Sequence, residues 1–98
     1  MNTVPLETTT HTQVSSKQLQ MMRHALGLDW KKRPYRNRFY TAIHDPDGIA
    51  WQDLVQRGLA VQLPGWKSEV GMAYFKCTYE GAKLAYSKPL SEVRFKGL

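Results

Sequence analysis

Eleven residues near the middle of the chain, Trp30-Lys31-Lys32-Arg33-Pro34-Tyr35-Arg36-Asn37-Arg38-Phe39-Tyr40, set five cations among four aromatic side chains. Cations neutralise phosphates, and aromatic faces stack on exposed bases or on guanidinium groups. Lys31, Lys32, Arg33, Arg36 and Arg38 are therefore the candidate phosphate contacts. The competing reading is a solvated loop in which Phe39, and one of Trp30 or Tyr35, plug the core beside a helix. The whole net charge of +6 falls within residues 17–38, where seven cations face Asp29 alone; elsewhere seven positive charges balance seven negative. A localised positive patch attracts phosphate backbones, anionic surfaces or acidic proteins, and phosphate contact alone reads no base sequence.

The remaining chemistry-bearing residues point away from catalysis. His11, His24 and His44 are scattered and form no metal-ligand spacing with Cys77. Cys77 is the only cysteine, which excludes an internal disulfide and fits a reducing cytoplasm; its expected place is beside Phe75, as a small apolar residue. Asp45 and Asp47 either begin an oxygen-ligand site for magnesium or calcium or, as Asp-Pro-Asp-Gly, form a turn and helix cap, which suits the context better. No phosphate-cradling glycine loop and no Ser-His-Asp arrangement can be proposed from spacing. The expectation is a protein without catalytic residues, metal or cofactor. No apolar run approaches the ~18 residues of a membrane span, and Met1 to Val14 lacks the basic start and apolar centre of a secretory signal. The expected location is cytoplasmic.

These residues need elements to hold them. Residues 1–14 are Thr-rich and read as a flexible arm, with an extended strand through Val4 and Leu6 as the lesser alternative. Ser15 or Ser16 caps a first helix over about residues 16–26, with Leu19, Met22, Ala25 and Leu26 on one face and Gly27 as its stop. Pro34 disfavours a helix through Arg33, and Phe39 to Ile43 is rich in strand formers. Asp47 caps a second helix over 48–57, with Trp51, Leu54 and Val55 buried and Gly58 at its end. Leu59, Val61 and Leu63 alternate as a half-buried strand. Pro64-Gly65 opens a turn through Trp66 to Gly71, and Met72 to Cys77 returns with Ala73, Phe75 and Cys77 on one face. Thr78 caps a third helix over 79–87. Glu92 to Lys96 alternates weakly, as an edge strand would. The chain thus reads as one α+β domain over residues 15–90, three helices with a two- to three-stranded antiparallel sheet, followed by a tail over 91–98.

The stretch Gly58-Leu59-Ala60-Val61-Gln62-Leu63-Pro64-Gly65, followed by Tyr74-Phe75-Lys76-Cys77-Thr78-Tyr79-Glu80-Gly81-Ala82-Lys83-Leu84, resembles the wing and last helix of winged-helix proteins, whose final helix often opens with Thr-x-x-Gly. The resemblance covers roughly the C-terminal half and departs upstream: where a winged helix has two helices, forming a helix-turn-helix, this chain has Trp30 to Ile43 in place of one. Arg23-His24-Ala25-Leu26-Gly27-Leu28, Pro34-Tyr35-Arg36-Asn37 and Trp51 with Gly58-Leu59 are similar to small proteins of bacteriophages and prophages. That resemblance implies a phage origin and action in a host cytoplasm and brings no assigned activity with it; phage products of this size are often DNA binders, or else inhibitors of host machinery of the anti-CRISPR type.

On the winged-helix resemblance the second helix occupies the recognition position, with Gln52, Gln56 and Arg57 outward; these types read base edges, although Asp47 and Asp53 repel phosphate. Lys67 lies in the wing. Trp66 is either an exposed interface anchor or folds back over the sheet. Two functions follow as expectations. The first is a DNA-binding accessory or regulatory protein, with a homodimer through the terminal segments. The second is a protein-binding module using Trp30, Tyr35 and Trp66 to block or adapt a host complex.

Overall fold

Helix α1, Ser16–Leu26, begins where the sequence demands it. Ser15 Oγ accepts from the Gln18 amide at 3.0 Å and the Gln18 side chain accepts from the Ser15 amide at 2.9 Å, so two otherwise orphaned donors are satisfied reciprocally. Gly27 ends the helix in the left-handed conformation, with φ 82°. The computed structural model describes residues 14–98; the arm, with Val4, Leu6 and His11, lies outside the described residues.

Four helices and one three-stranded antiparallel sheet make up a small α+β fold among those residues. Strand β1 is Phe39–Ala42, helix α2 is Pro46–Gln56, strands β2 and β3 are Ala60–Pro64 and Met72–Cys77, helix α3 is Tyr79–Tyr86 and helix α4 is Glu92–Lys96. The strand order is β1-β3-β2. Helix α2 starts two residues before its expected beginning, with Asp45 rather than Asp47 at the cap position, because Pro46 suits a first helical turn that needs no N–H. Helix α4 replaces the expected edge strand: Ser91 Oγ accepts from the Arg94 amide at 3.1 Å, and Glu92 in the first turn with Arg94 and Lys96 in the last complement the helix dipole.

The core lies between the helices and one sheet face. Met22, Ala25 and Leu26 of α1, Trp51 and Leu54 of α2, and Ala82 and Ala85 of α3 meet Ala73, Phe75 and Cys77 of β3. Trp51 stacks on Phe75 with centroids 5.6 Å apart and tilts against Phe39 at 5.4 Å. Its Nε1 is buried with no partner among the described residues. Packing therefore holds this indole, at the expense of one unsatisfied donor.

Two expectations about burial are corrected. Phe39 packs against the core, but neither Trp30, 77% exposed, nor Tyr35, 47% exposed, plugs it; Pro34 and Asn37 are the buried residues of that loop. The second correction concerns β2. Leu59 belongs to the helix end: its amide donates to Leu54 O at 2.9 Å and its carbonyl accepts from Thr78 N at 3.1 Å. The strand alternation starts one residue later, with Ala60 buried opposite Cys77. Val61 and Leu63 consequently point away from the core and are exposed. A one-residue change of phase moves every side chain of a strand to the other face.

Candidate nucleic-acid interface

With α1, α2 and α3 on one side, the other face of the sheet is open and borders α4 at one end. Residues paired directly across an antiparallel ladder share a face. Tyr40 pairs with Tyr74, Leu63 with Tyr74, and Val61 with Lys76, so these five side chains occupy the open face. The Tyr40 and Tyr74 rings lie 4.4 Å apart at 42°, and the Arg38 guanidinium sits 6.0 Å from the Tyr74 centroid.

The turn after β2 is fastened to this face. Trp66 Nε1 donates to the Tyr74 hydroxyl, the Trp66 amide donates to the Tyr40 hydroxyl at 3.4 Å, and that hydroxyl donates to Glu69. Desolvation first, and then the bond to Glu69, raise the Tyr40 phenol above its ordinary pKa, so it stays a neutral donor. Trp66 is nonetheless 63% exposed. It leans over the sheet through its nitrogen while its ring meets solvent, which combines the two readings of the sequence. Lys67, the next residue, is exposed at the same end.

The cations of the central patch divide. Arg36 donates twice to the His24 carbonyl, from Nε at 3.3 Å and Nη2 at 2.8 Å, and lies 3.9 Å from Asp29. Its charge serves the C-terminal end of α1. His24 Nδ1 is 2.5 Å from Asp29 Oδ2, and that hydrogen bond is the largest influence holding the Asp29 carboxyl below its ordinary pKa. Arg23 donates to Ala85 O at 2.7 Å, tying α1 to α3, and Lys17 pairs with Asp47 at 2.9 Å. Lys31, Lys32 and Arg33 are exposed in the loop after α1, next to the exposed Trp30.

Asn37 fixes where this loop meets the sheet. Its side-chain amide donates to Cys77 O at 2.9 Å and its Oδ1 accepts from Cys77 N at 2.8 Å, both buried, so a side chain supplies the ladder rung that the β1 backbone would otherwise make. Arg38, one residue on, is thereby set beside Lys76. A hollow of about 620 Å³ gathers Tyr35, Arg36, Arg38, Tyr74 and Lys76. A second hollow, of about 400 Å³, shares Leu63 and Lys76 with it and extends to Phe95 and Lys96. Arg33 and Arg94 border a further one, of about 410 Å³. Lys76, Arg94 and Lys96 were missed from sequence. For Lys76 the signal was present: if Ala73, Phe75 and Cys77 face inward, Met72, Tyr74 and Lys76 face outward.

The recognition-position helix is a poorer candidate. Gln52 Nε2 donates to Ile43 O at 2.6 Å, and Arg57 pairs with Asp53 at 3.1 Å. Gln56 is exposed. Gln52 thus ties α2 to the residue after β1, Arg57 is paired with Asp53 of the same helix, and Asp47 is paired with Lys17. Among the described residues no group of three His, Cys, Asp or Glu side chains comes together, and no helix is long and apolar enough to cross a membrane. Cys77 is buried, and desolvation pushes its thiol pKa up to about 12. Comparison with protein families, curated proteins and solved structures returns no match to this chain.

Proposed function

We propose that this chain is a small nucleic-acid-binding protein, with an accessory or regulatory role in a phage or prophage setting. The observation that carries the reading is the convergence of Arg38 and Lys76, with Tyr35 and Tyr74, in one hollow on the open sheet face. Exposed Lys31, Lys32 and Arg33 extend the positive surface beyond it. Cations of this kind exchange condensed counterions for protein contacts at the phosphates, and the aromatics offer stacking surface. The element order α1-β1-α2-β2-β3-α3 and the strand order β1-β3-β2 support a winged-helix-like frame, with the turn between β2 and β3 as the wing. The frame departs from that pattern in having one helix, α2, between β1 and β2. The Gln52 bond to Ile43 O and the Arg57–Asp53 pair, which occupy two of the outward side chains of α2, favour contact through the sheet face over reading of a major groove by that helix.

Replacing Lys31, Lys32, Arg33, Arg38 and Lys76 together with alanine, leaving the structural Arg36 in place, tests the reading. Binding to labelled DNA at low salt is expected to fall by at least two orders of magnitude, roughly the effect of losing several phosphate contacts. Unchanged binding would remove the proposal. A protein-binding module is the second reading, favoured by Val70, 96% exposed, near Trp66 on the β2–β3 turn. An interface centred there would lose little affinity as salt rises.

A further inference from the structure

Resting on the nucleic-acid reading, we propose that the ligand is single-stranded, and that the open sheet face binds it by stacking bases on Trp66 and holding phosphates with Arg38, Lys76 and Lys96. Four observations carry this. First, Val61 and Leu63 lie beside Tyr74 and Tyr40 on the open sheet face and together give it apolar and aromatic surface. An apolar sheet surface suits the faces of unpaired bases, and a duplex hides those faces inside its own stack. Second, Trp66 is held by its Nε1 bond to Tyr74 while the residue remains 63% exposed. A fixed, exposed aromatic loses little freedom when a base stacks on it, which is the condition for a stacking platform. Third, the cations follow a line across the same face. Lys67 stands beside Trp66, Arg38 lies over the Tyr74 ring, Lys76 borders both hollows, and Lys96 ends the second.

The fourth observation is charge complementarity. Glu69, on the turn beside this face, accepts from Tyr40, whereas Asp45, Asp47 and Asp53 belong to α2 and its start on the opposite side of the sheet. A polyanion laid along the face meets positive charge at each end and apolar surface between. Side chains on a shallow pleated surface do not enter a duplex groove as a helix does, and the helix at the groove-reading position has its Gln52 amide occupied by Ile43 O. The two hollows border each other through Leu63 and Lys76, and Tyr74, to which Trp66 is bonded, lines the first, so a strand several nucleotides long has a path from Tyr74 toward α4.

The test compares a short labelled oligothymidine with the corresponding duplex, by fluorescence anisotropy, for the full chain and two variants. The expected result is at least a tenfold preference for the single strand, roughly the effect of one stacked base. Trp66→Ala removes most of that preference, and Trp66→Phe, which keeps an aromatic face but loses the Nε1 bond to Tyr74, retains part of it. Because Trp66 is exposed, Trp66→Ala is expected to fold; near-ultraviolet circular dichroism checks this, and the Arg38→Ala plus Lys76→Ala pair probes the same face independently. Equal or tighter binding of duplex, unaltered in Trp66→Ala, would overturn the single-strand proposal and leave the nucleic-acid reading standing. Failure to bind either form at low salt would overturn both.

Discussion

At the scale of single residues, Asn37 and Cys77 show how a candidate binding loop is built into a stable sheet. The Asn37 amide satisfies both backbone groups of Cys77 in a buried setting. Asn37→Ala leaves a donor and an acceptor unpaired, so we expect a loss of about 2–4 kcal/mol, measured by urea denaturation, with loss of order in the Arg38 side of the hollow. Cys77 itself is pushed by burial from 9.0 to about 12. The folded state therefore holds the thiol proton more tightly than the unfolded state. The stability this contributes is complete below pH 9.0 and is lost as pH rises toward 12, at about 1.4 kcal/mol per pH unit within that window. Relative to the native chain, Cys77→Ala is expected to show a shallower alkaline decline in denaturation midpoints. The native thiol should also resist alkylation at neutral pH until the chain is unfolded.

At the scale of elements, the Thr-x-x-Gly opening of α3 has a steric cause. Thr78 Oγ1 accepts from the Gly81 amide at 3.1 Å and donates to Gly58 O at 2.8 Å, drawing the helix start onto the end of α2. A Cβ on Gly81 would sit 2.0 Å from Leu59 O, a backbone atom that cannot step aside. Gly81→Ala is expected to cost at least 3 kcal/mol, roughly the scale of severe core overpacking, or to prevent folding. Gly58→Ala has open space around it and meets only the left-handed backbone, φ +77°, so thermal denaturation should show a loss of about 1–2 kcal/mol. Helices α1, α2 and α3 and strand β3 were legible in the sequence because caps, stops and alternation agreed locally: Ser15, Gly27 and Thr78 mark ends, and Ala73, Phe75 and Cys77 mark a face. Strand β2 was misread because Leu59 looks like the first residue of an alternating run. The sequence also lets Leu59 pack back on the last turn of the helix, and the bonds from its amide to Leu54 O and from Thr78 N to its carbonyl select that role. The tail was misread because five residues alternate weakly whether they form a strand or a single helical turn.

At the scale of the whole molecule, the sheet divides two surfaces of different chemistry. Helix α2 and its start carry Asp45, Asp47 and Asp53, while the open face and the adjoining loop collect exposed cations and aromatic rings. The charge run at residues 31–38 was visible in sequence, and so were its aromatics. What the sequence concealed was its division of labour: Arg36 anchors a helix end, whereas Arg38 joins Lys76 and Lys96, which are 38 and 58 positions farther along the chain. Such a surface comes from strand pairing and chain return, not from proximity in sequence. The most direct test of its role is a titration of the purified full chain against a labelled oligonucleotide over a series of salt concentrations. With Arg38, Lys67, Lys76 and Lys96 on phosphates, log affinity is expected to fall linearly with log salt with a slope of about −3. Absence of binding at the lowest salt, or affinity that holds constant across the series, would contradict the nucleic-acid reading.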